Sequence, residues 1–255
     1  LTRGDMTLSS KVQLWLSQFN AKNGSMCDKY SVLCQINDEI LYSQRSWRAV
    51  TSISKDLASN NLFLRGLIDC VCTENPCFVL CALQCLTNIS LSEYGRIQLL
   101  KRDALTIIFG ILKSTDEILA KEAKLFLQSF VCDERSSRIL TEYIRSISIG
   151  FLIRQICNKL QREKHATLCV YLRILNACML KHPSDAIARH FKLNNGAYYI
   201  SLRHSLMEIL ATGPKGETFS TTDEALTYSF NELESIFNVA SATQFILLKN
   251  IKIKA

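Results

Sequence analysis

Apolar residues recur at helical spacing along this chain, and the same pattern returns at nearly constant intervals. Within residues 78–114 one helical face carries apolar side chains at helical spacing, from Val79 through Ile89. With Leu86, Leu127 and Ile174 placed in register, the copies are 41 and 47 residues apart. Such intervals are typical of stacked helical units that bury their apolar faces against one another. The repetition therefore predicts an all-helical solenoid.

The first copy resembles one armadillo repeat. The last helix of such a repeat carries a leucine, a small residue, an asparagine, an aliphatic residue and a small residue, and residues 86–90 have this order. Arg96 then leads into two apolar helices that end near Leu112. The resemblance implies a right-handed α-solenoid of about four to five armadillo-like repeats. Asp103 replaces a frequent glycine, and Gln84 replaces the tryptophan of importin-α-type repeats, so we do not expect nuclear-import cargo recognition.

The whole chain, residues 1–255, is predicted to be a single armadillo-like repeat domain. Its parts are an N-terminal helix and loop (1–29), a degenerate first repeat (30–75), the best repeats (76–211), a flexible loop (212–222) and a partial repeat or cap (223–255). The helical pattern outside the first copy is expected over residues 8–19, 32–42, 47–57, 62–72, 117–131, 149–160, 165–180 and 224–239, with a closing helix over 245–253.

Composition narrows the environment in which the chain works. No apolar run reaches the roughly 18 to 20 residues that a membrane span requires, so we expect no membrane partner. The cysteines number eleven, an odd count, and most fall within apolar helical faces. A secreted, disulfide-stabilised domain would show an even number bounding its loops. We therefore predict a cytoplasmic or nuclear protein.

Five cysteines lie within 16 residues, at positions 70, 72, 77, 81 and 85. A structural zinc site usually needs a second pair of ligands, and no histidine or second cysteine pair lies near these residues in sequence. Free buried cysteine behaves as a small apolar residue, which favours core packing over metal binding. The nucleophile elbow, the phosphate loop and the dinucleotide fingerprint were not found. We expect no enzyme activity, no metal and no cofactor.

Stacked repeats leave the outer side of each last helix available to a partner, and the resemblance places that side on a concave surface. Asparagine and glutamine can pair with both the amides and the carbonyls of an extended peptide, because each side chain has a donor and an acceptor. Asn88 has an alternative role in closing a helix end. The predicted groove residues are Gln84, Asn88, Lys121, Gln128, Ser129, Arg173 and Asn176.

Positive charge is concentrated in one segment. Residues 154–204 contain nine lysines and arginines against two acidic residues, whereas the whole chain has a net charge of +7. Such a patch favours an acidic or phosphorylated protein segment, or a nucleic-acid backbone, over other partners. A solvated face without a specific partner is the remaining alternative. The patch comprises Arg154, Lys159, Arg162, Lys164, Arg173, Lys181, Arg189, Lys192 and Arg203.

These observations predict a non-catalytic adaptor that binds a short, acidic segment of another protein in the concave groove. Two alternatives stay open: a nucleic-acid-associated scaffold that uses residues 154–204, and a module that self-assembles into a homo-oligomer.

Overall fold

The computed structural model describes residues 7–21, 24–112, 114–159 and 165–181, and the single positions 200, 202 and 204. The chain divides into two compact units, Leu1–Phe130 and Val131–Ala255, which are described separately. Throughout the described part the regular structure is helical, which confirms the predicted all-α class. The predicted loop over 212–222, the copy over 224–239 and the closing helix over 245–253 lie outside the described residues.

Unit 1 contains eight α-helices among its described residues. In chain order they are α1 (Leu8–Phe19), α2 (Met26–Tyr42), α3 (Trp47–Ser59), α4 (Asn61–Val71), α5 (Pro76–Ser90), α6 (Glu93–Leu100), α7 (Ala104–Ile111) and α8 (Glu117–Gln128), with a short 3-10 turn at Ser43–Arg45. The described helices of unit 2 are α9 (Glu134–Tyr143), α10 (Ser146–Lys159) and α11 (His165–Lys181).

The helices recur in sets of three, as armadillo-like repeats do. In unit 1 the sets are α3–α5 and α6–α8, and in unit 2 the set is α9–α11. Corresponding helices of the first two sets lie side by side, α3 against α6 and α5 against α8. The predicted repetition of helical units is therefore present in the described residues. The proposed subdivision of residues 1–255 stays a prediction.

Polar side chains fix most of the helix starts in unit 1. Side-chain oxygens of the residues preceding seven helices accept backbone N–H bonds from the first turn, and these residues are Thr7, Ser25, Ser46, Asn60, Asn75, Ser92 and Asp116. Such caps satisfy donors that have no partner within the helix. Ser25 and Asp28 form a reciprocal capping box, so α2 begins at Met26, six residues before the predicted start.

α5 is the central helix of unit 1, and it packs against α2, α3, α4, α6 and α8. Its predicted inward face is confirmed, because Val79, Ala82, Leu83, Leu86 and Ile89 are all buried. The helical spacing of residues 32–42 predicts that Leu41 faces inward with Val32, Leu33, Ile36 and Ile40, and for Leu41 this prediction is wrong. Leu41 is 64% exposed in the last turn of α2, where no neighbouring helix covers it.

The corner between α5 and α6 is unusually tight. A Cβ atom on Gly95 would lie 2.0 Å from the carbonyl oxygen of Ile89, so only glycine fits there. The buried guanidinium of Arg96 donates from Nη1 to the carbonyl oxygen of Ser90 at 2.9 Å. Arg96 thus satisfies a carbonyl at the C-terminal end of α5 that lacks a helical partner.

Asp103 starts α7 in the left-handed conformation, with φ of 58°. Residues with a Cβ atom are disfavoured there, although Asp and Asn tolerate it better than most. Glycine would adopt this conformation without strain, so position 103 is one where glycine is favoured.

The described core of unit 2 lies among three helices. α11 packs against α9 and α10. Tyr171, Ile174, Ala177 and Cys178 are buried, as their spacing predicts, whereas Val170 is half-buried.

Candidate functional site

α2, α5 and α8 form a layer of adjacent helices in unit 1. α2 and α5 run in the same direction, because Tyr30 near the start of α2 lies 6.2 Å from the ring of Phe78, whereas Asn37 further along contacts Asn88. We call the solvent-exposed side of this layer the third-helix face, since α5 and α8 are the third helices of their sets.

The exposed side of α5 carries no charge. α5 contains no acidic or basic residue, and its outward stripe consists of Cys77, Gln84 and Asn88 at helical spacing. Cys77 is exposed, whereas Gln84 and Asn88 are half-buried. Neutral amides dominate the centre of the third-helix face, so its recognition chemistry here is hydrogen bonding.

Asn88 belongs to a short chain of hydrogen bonds between α5 and α2. Its Nδ2 donates to Oδ1 of Asn37 at 3.0 Å, and Nδ2 of Asn37 donates to the carbonyl oxygen of Cys81 at 3.0 Å. Part of the hydrogen-bonding capacity of Asn88 is therefore used inside the protein, to hold α2 against α5. Asn37 was not among the residues predicted from the sequence. The available signal was its position between the buried residues Ile36 and Ile40.

Thr87 connects α5 with α8. Its hydroxyl lies 2.8 Å from Oε1 of Glu122, to which it can donate, and 3.0 Å from the carbonyl oxygen of Leu83. Glu122 therefore lies at the α5 side of α8. Lys121 and Gln128, two of the predicted groove residues, are exposed on the same helix.

Two apolar side chains on α8 are exposed that sequence analysis did not assign to the site. Ile118 is 64% exposed and Leu125 is 45% exposed. They are seven residues apart and so lie on the same side of the helix. Exposed apolar side chains next to polar groups are common in binding surfaces, where they supply contact area. The spacing of apolar residues in α8 did not reveal them, because residue type alone does not distinguish a buried aliphatic side chain from an exposed one.

Ser129, another of the predicted groove residues, is hydrogen-bonded at the end of α8. Its hydroxyl donates to the carbonyl oxygen of Phe126 at 2.7 Å, and its backbone N–H closes the last turn of α8. These bonds give Ser129 a role at the helix end. In contrast, the side chains of Gln84, Lys121 and Gln128 make no hydrogen bond to any other described residue, so their polar groups are available to a partner.

In unit 2 the predicted groove residues Arg173 and Asn176 lie on α11. Nη1 of Arg173 donates to the carbonyl oxygen of Val131 at 2.7 Å, so this cation holds the start of unit 2 against α11. The buried Oδ1 of Asn176 has no hydrogen-bond partner among the described residues. A buried acceptor without a partner is costly, so Asn176 has an unused capacity to bind a donor.

The predicted basic patch is only partly within the described residues. Arg154 is exposed on α10, and its Nε lies 3.3 Å from the carbonyl oxygen of Gly150. Lys159 and Lys181 occupy the C-terminal ends of α10 and α11. The other predicted members, Arg162, Lys164, Arg189, Lys192 and Arg203, lie outside the described residues.

The cysteine cluster divides into buried and exposed members. Cys70, Cys81 and Cys85 are buried, whereas Cys72 and Cys77 are exposed. Burial raises the pKa of the Cys70 thiol to about 11, and burial together with the neighbouring Cys34 raises that of Cys81 to about 12. Among the described residues, no three or more His, Cys, Asp or Glu side chains are grouped so that they could hold a metal ion.

Comparison with known proteins gives a structural likeness. No protein-family model matches the chain, and no curated protein matches it in sequence. The chain is similar to a designed armadillo repeat protein in complex with the peptide (KR)4, with 13% identity, a TM-score of 0.44, and coverage of 91% of this chain and 100% of that chain. In the described part of the chain, no helix is both long enough and apolar enough to span a membrane.

Proposed function

We propose that this chain is a non-catalytic adaptor that binds a short, extended segment of another protein on the third-helix face. The observation that carries the proposal is the arrangement of Gln84, Lys121 and Gln128. They project from adjacent helices, they are half-buried or exposed, and they make no hydrogen bond to another described residue. Polar side chains held on rigid helices can bind a partner without a large loss of conformational entropy.

The chemistry of the face suits an extended backbone. Each glutamine offers a donor and an acceptor, which match the carbonyls and amides that an extended peptide leaves unpaired. Ile118 and Leu125 add apolar contact beside these polar groups. A few anchoring side chains with satisfied backbone bonds can dominate the affinity of such an interface.

We propose further that the bound segment is acidic or phosphorylated. Lys121 supports this preference on α8, and in unit 2 the exposed Arg154 belongs to the segment 154–204, which has nine basic residues against two acidic ones. Charges of this kind mainly increase the rate of encounter and the selectivity between partners. The neutral stripe on α5 contributes hydrogen bonds that depend little on the charge of the segment.

A selection experiment tests this function. A library of random displayed peptides is selected on the full-length chain, and the enriched peptides are measured by fluorescence anisotropy. The Gln84→Ala/Gln128→Ala variant should weaken binding by about tenfold, because two hydrogen bonds of about 0.5–1.5 kcal/mol each are removed. Arg65→Ala, a change at an exposed residue of α4, is the matched control and should leave the affinity within about twofold of wild type.

The selected sequences test the charge preference separately. Enrichment of Asp and Glu, with weaker binding to Lys121→Ala, supports the acidic segment. Enrichment of peptides without regard to their charge would be consistent with the adaptor function but would refute the preference for an acidic segment. Failure to enrich any peptide, or equal affinities for wild type and the double glutamine variant, would refute the proposed site.

The basic segment 154–204 supports nucleic-acid binding as a second candidate function. A duplex or single-stranded oligonucleotide should then bind with an affinity that falls steeply with salt, because phosphate contacts release bound cations. Light scattering at two protein concentrations tests the third candidate, a homo-oligomer.

A further inference from the structure

The seam between α2 and α5 brings two thiols together from distant parts of the sequence. The Sγ atoms of Cys34 and Cys81 are 3.7 Å apart, and both cysteines are reduced. A disulfide requires about 2.0 Å between the two sulfurs. The two sulfurs must therefore approach each other by about 1.7 Å, through rotation of the side chains and a shift of the two helices. No other pair of sulfurs among the described residues is held in a hydrogen-bond contact.

The two thiols differ in accessibility. Cys34 is half-buried at the edge of the seam, whereas Cys81 is buried with 6% of its surface exposed. A small oxidant can therefore reach Cys34 first, with Cys81 directly behind it. Tyr30 is exposed and lies one turn before Cys34 on α2. Its pKa is raised, chiefly by a hydrogen bond with the Cys34 sulfur.

Other contacts hold this arrangement in place. Nδ2 of Asn37 donates to the carbonyl oxygen of Cys81 and lies 3.5 Å from its sulfur. Asn37 also accepts the bond from Asn88, so the seam is fixed immediately beside the thiol pair. The two sulfurs are thus held in contact by packing and by an amide chain, a property of redox-sensitive thiols that act with a resolving partner.

We propose that Cys34 and Cys81 are a redox-modification site, at which hydrogen peroxide generates a disulfide that links α2 to α5. In the first step the Cys34 thiolate attacks one oxygen of the peroxide. An S–O bond forms, the O–O bond breaks, and the departing hydroxide takes up the proton released by Cys34 to become water. Cys34 is now a sulfenic acid, oxidised by two electrons.

In the second step the sulfur of Cys81 attacks the sulfur of Cys34. The S–S bond forms, the S–O bond breaks, and the leaving hydroxide takes the proton of Cys81 to give a second water. Overall, two thiols lose two electrons and two protons, and one peroxide becomes two waters. Burial, which raises the pKa of the Cys81 thiol to about 12, makes Cys81 a poor first nucleophile and leaves it protonated until the sulfenic acid forms beside it.

The site can be identified by mass spectrometry of the full-length chain. The folded protein is treated with hydrogen peroxide, blocked with N-ethylmaleimide and digested with trypsin without reduction. Cys34 falls in the peptide 30–45 and Cys81 in the peptide 66–96, which also contains the cysteines at 70, 72, 77 and 85. We expect one linked pair of these peptides, lighter than their sum by two hydrogen atoms, and its loss after treatment with dithiothreitol. Fragmentation of the linked pair should assign the bond to Cys34 and Cys81.

Three variants make the assignment independent of fragmentation. Cys34→Ser and Cys81→Ser should each reduce the linked pair by about tenfold or more, because each removes one of the two sulfurs. Cys77→Ser is the matched control. It lies one turn from Cys81 on the same helix and is exposed, so its loss should leave the yield within about twofold of wild type. Circular dichroism establishes that each variant is folded before oxidation.

Several results would overturn the proposal. They are the absence of the linked pair from folded wild type, its formation only in denaturant, its persistence in Cys81→Ser, and its loss in Cys77→Ser. The wild-type result does not depend on any variant being folded.

Discussion

Substituting alanine at two helical glycines should change the stability of this protein in opposite directions. Gly95 lies in the first turn of α6 and Gly110 lies near the end of α7. Alanine is favoured over glycine in a helix by about 1 kcal/mol, so propensity alone predicts stabilisation at both positions. The surroundings of Gly95 reverse this expectation, whereas those of Gly110 do not.

At Gly95 the added methyl group has no space. Its carbon would lie 2.0 Å from the carbonyl oxygen of Ile89 and 2.7 Å from Oγ of Ser92. The same carbonyl oxygen accepts the hydroxyl of Ser92 at 3.2 Å, and that hydroxyl oxygen accepts the N–H of Gly95 at 3.0 Å. Relief of the clash must move backbone and disturb this cap. Overpacking costs about 1–3 kcal/mol and a lost cap about 1 kcal/mol, whereas the helix propensity of alanine returns about 1 kcal/mol, so the net loss should be about 1–3 kcal/mol.

At Gly110 a Cβ atom would meet nothing within 4 Å, and the residue is exposed. Gly110→Ala should therefore stabilise the chain by about 0.5–1 kcal/mol. Thermal unfolding followed by circular dichroism at 222 nm measures both variants. We expect the midpoint to fall by about 2–12 °C in Gly95→Ala and to rise by about 2 °C in Gly110→Ala. Equal midpoints in the two variants, or a stabilised Gly95→Ala, would refute the tight corner between α5 and α6.

Three further substitutions test other local features. Asp103→Ala should be less stable than Asp103→Gly by about 1 kcal/mol, because φ is 58° at this position; equal thermal midpoints would contradict this. Ser25→Ala should raise the pKa of Asp28 toward its ordinary value, because hydrogen bonds from Ser25 lower it in the native protein. A lowered carboxyl pKa stabilises the fold above the ordinary pKa, and this contribution is lost as pH falls through the lowered value. The variant should lose the part of this acid dependence that the Ser25 hydroxyl provides, since the backbone N–H of residue 25 still donates to Asp28, and an unchanged NMR titration of Asp28 would exclude the effect. Arg96→Met should cost about 2 kcal/mol in chemical or thermal unfolding, because it removes a charged donor from the end of α5, and an unaltered stability would show that this bond is dispensable.

Much of the fold follows from periodicity, because a buried helical face requires apolar residues at intervals of three and four. This requirement fixed the inward residues of α5 and the three-helix order of the repeats. The early start of α2 was missed for a physical reason: the turns before Val32 bury no side chain, and their helical state depends on the capping box at Ser25 and Asp28. Leu41 was misassigned because periodicity identifies the apolar face of a helix but does not indicate how far a neighbouring helix covers that face.

The candidate site was less predictable than the fold, since it depends on contacts between helices. The pairing of Asn37 with Asn88 spans 51 residues, and the contact between Cys34 and Cys81 spans 47. The spacing of residues within one helix does not indicate which residues of a distant helix they contact. The exposure of Ile118 and Leu125 could not be predicted either, because they are aliphatic residues like the buried ones beside them. Gln84 is a polar residue within an apolar helix, so the sequence predicts that it faces away from the core, and it is half-buried on α5.

The most direct test of the adaptor function is the affinity of one selected peptide for single-site variants, measured by isothermal titration calorimetry. Gln84→Ala should weaken binding by about threefold to tenfold, because one hydrogen bond is lost without disturbing a contact inside the protein. Arg65→Ala on α4 should bind as wild type does. Equal affinities for Gln84→Ala and wild type, or a loss confined to Arg65→Ala, would contradict peptide binding on the third-helix face.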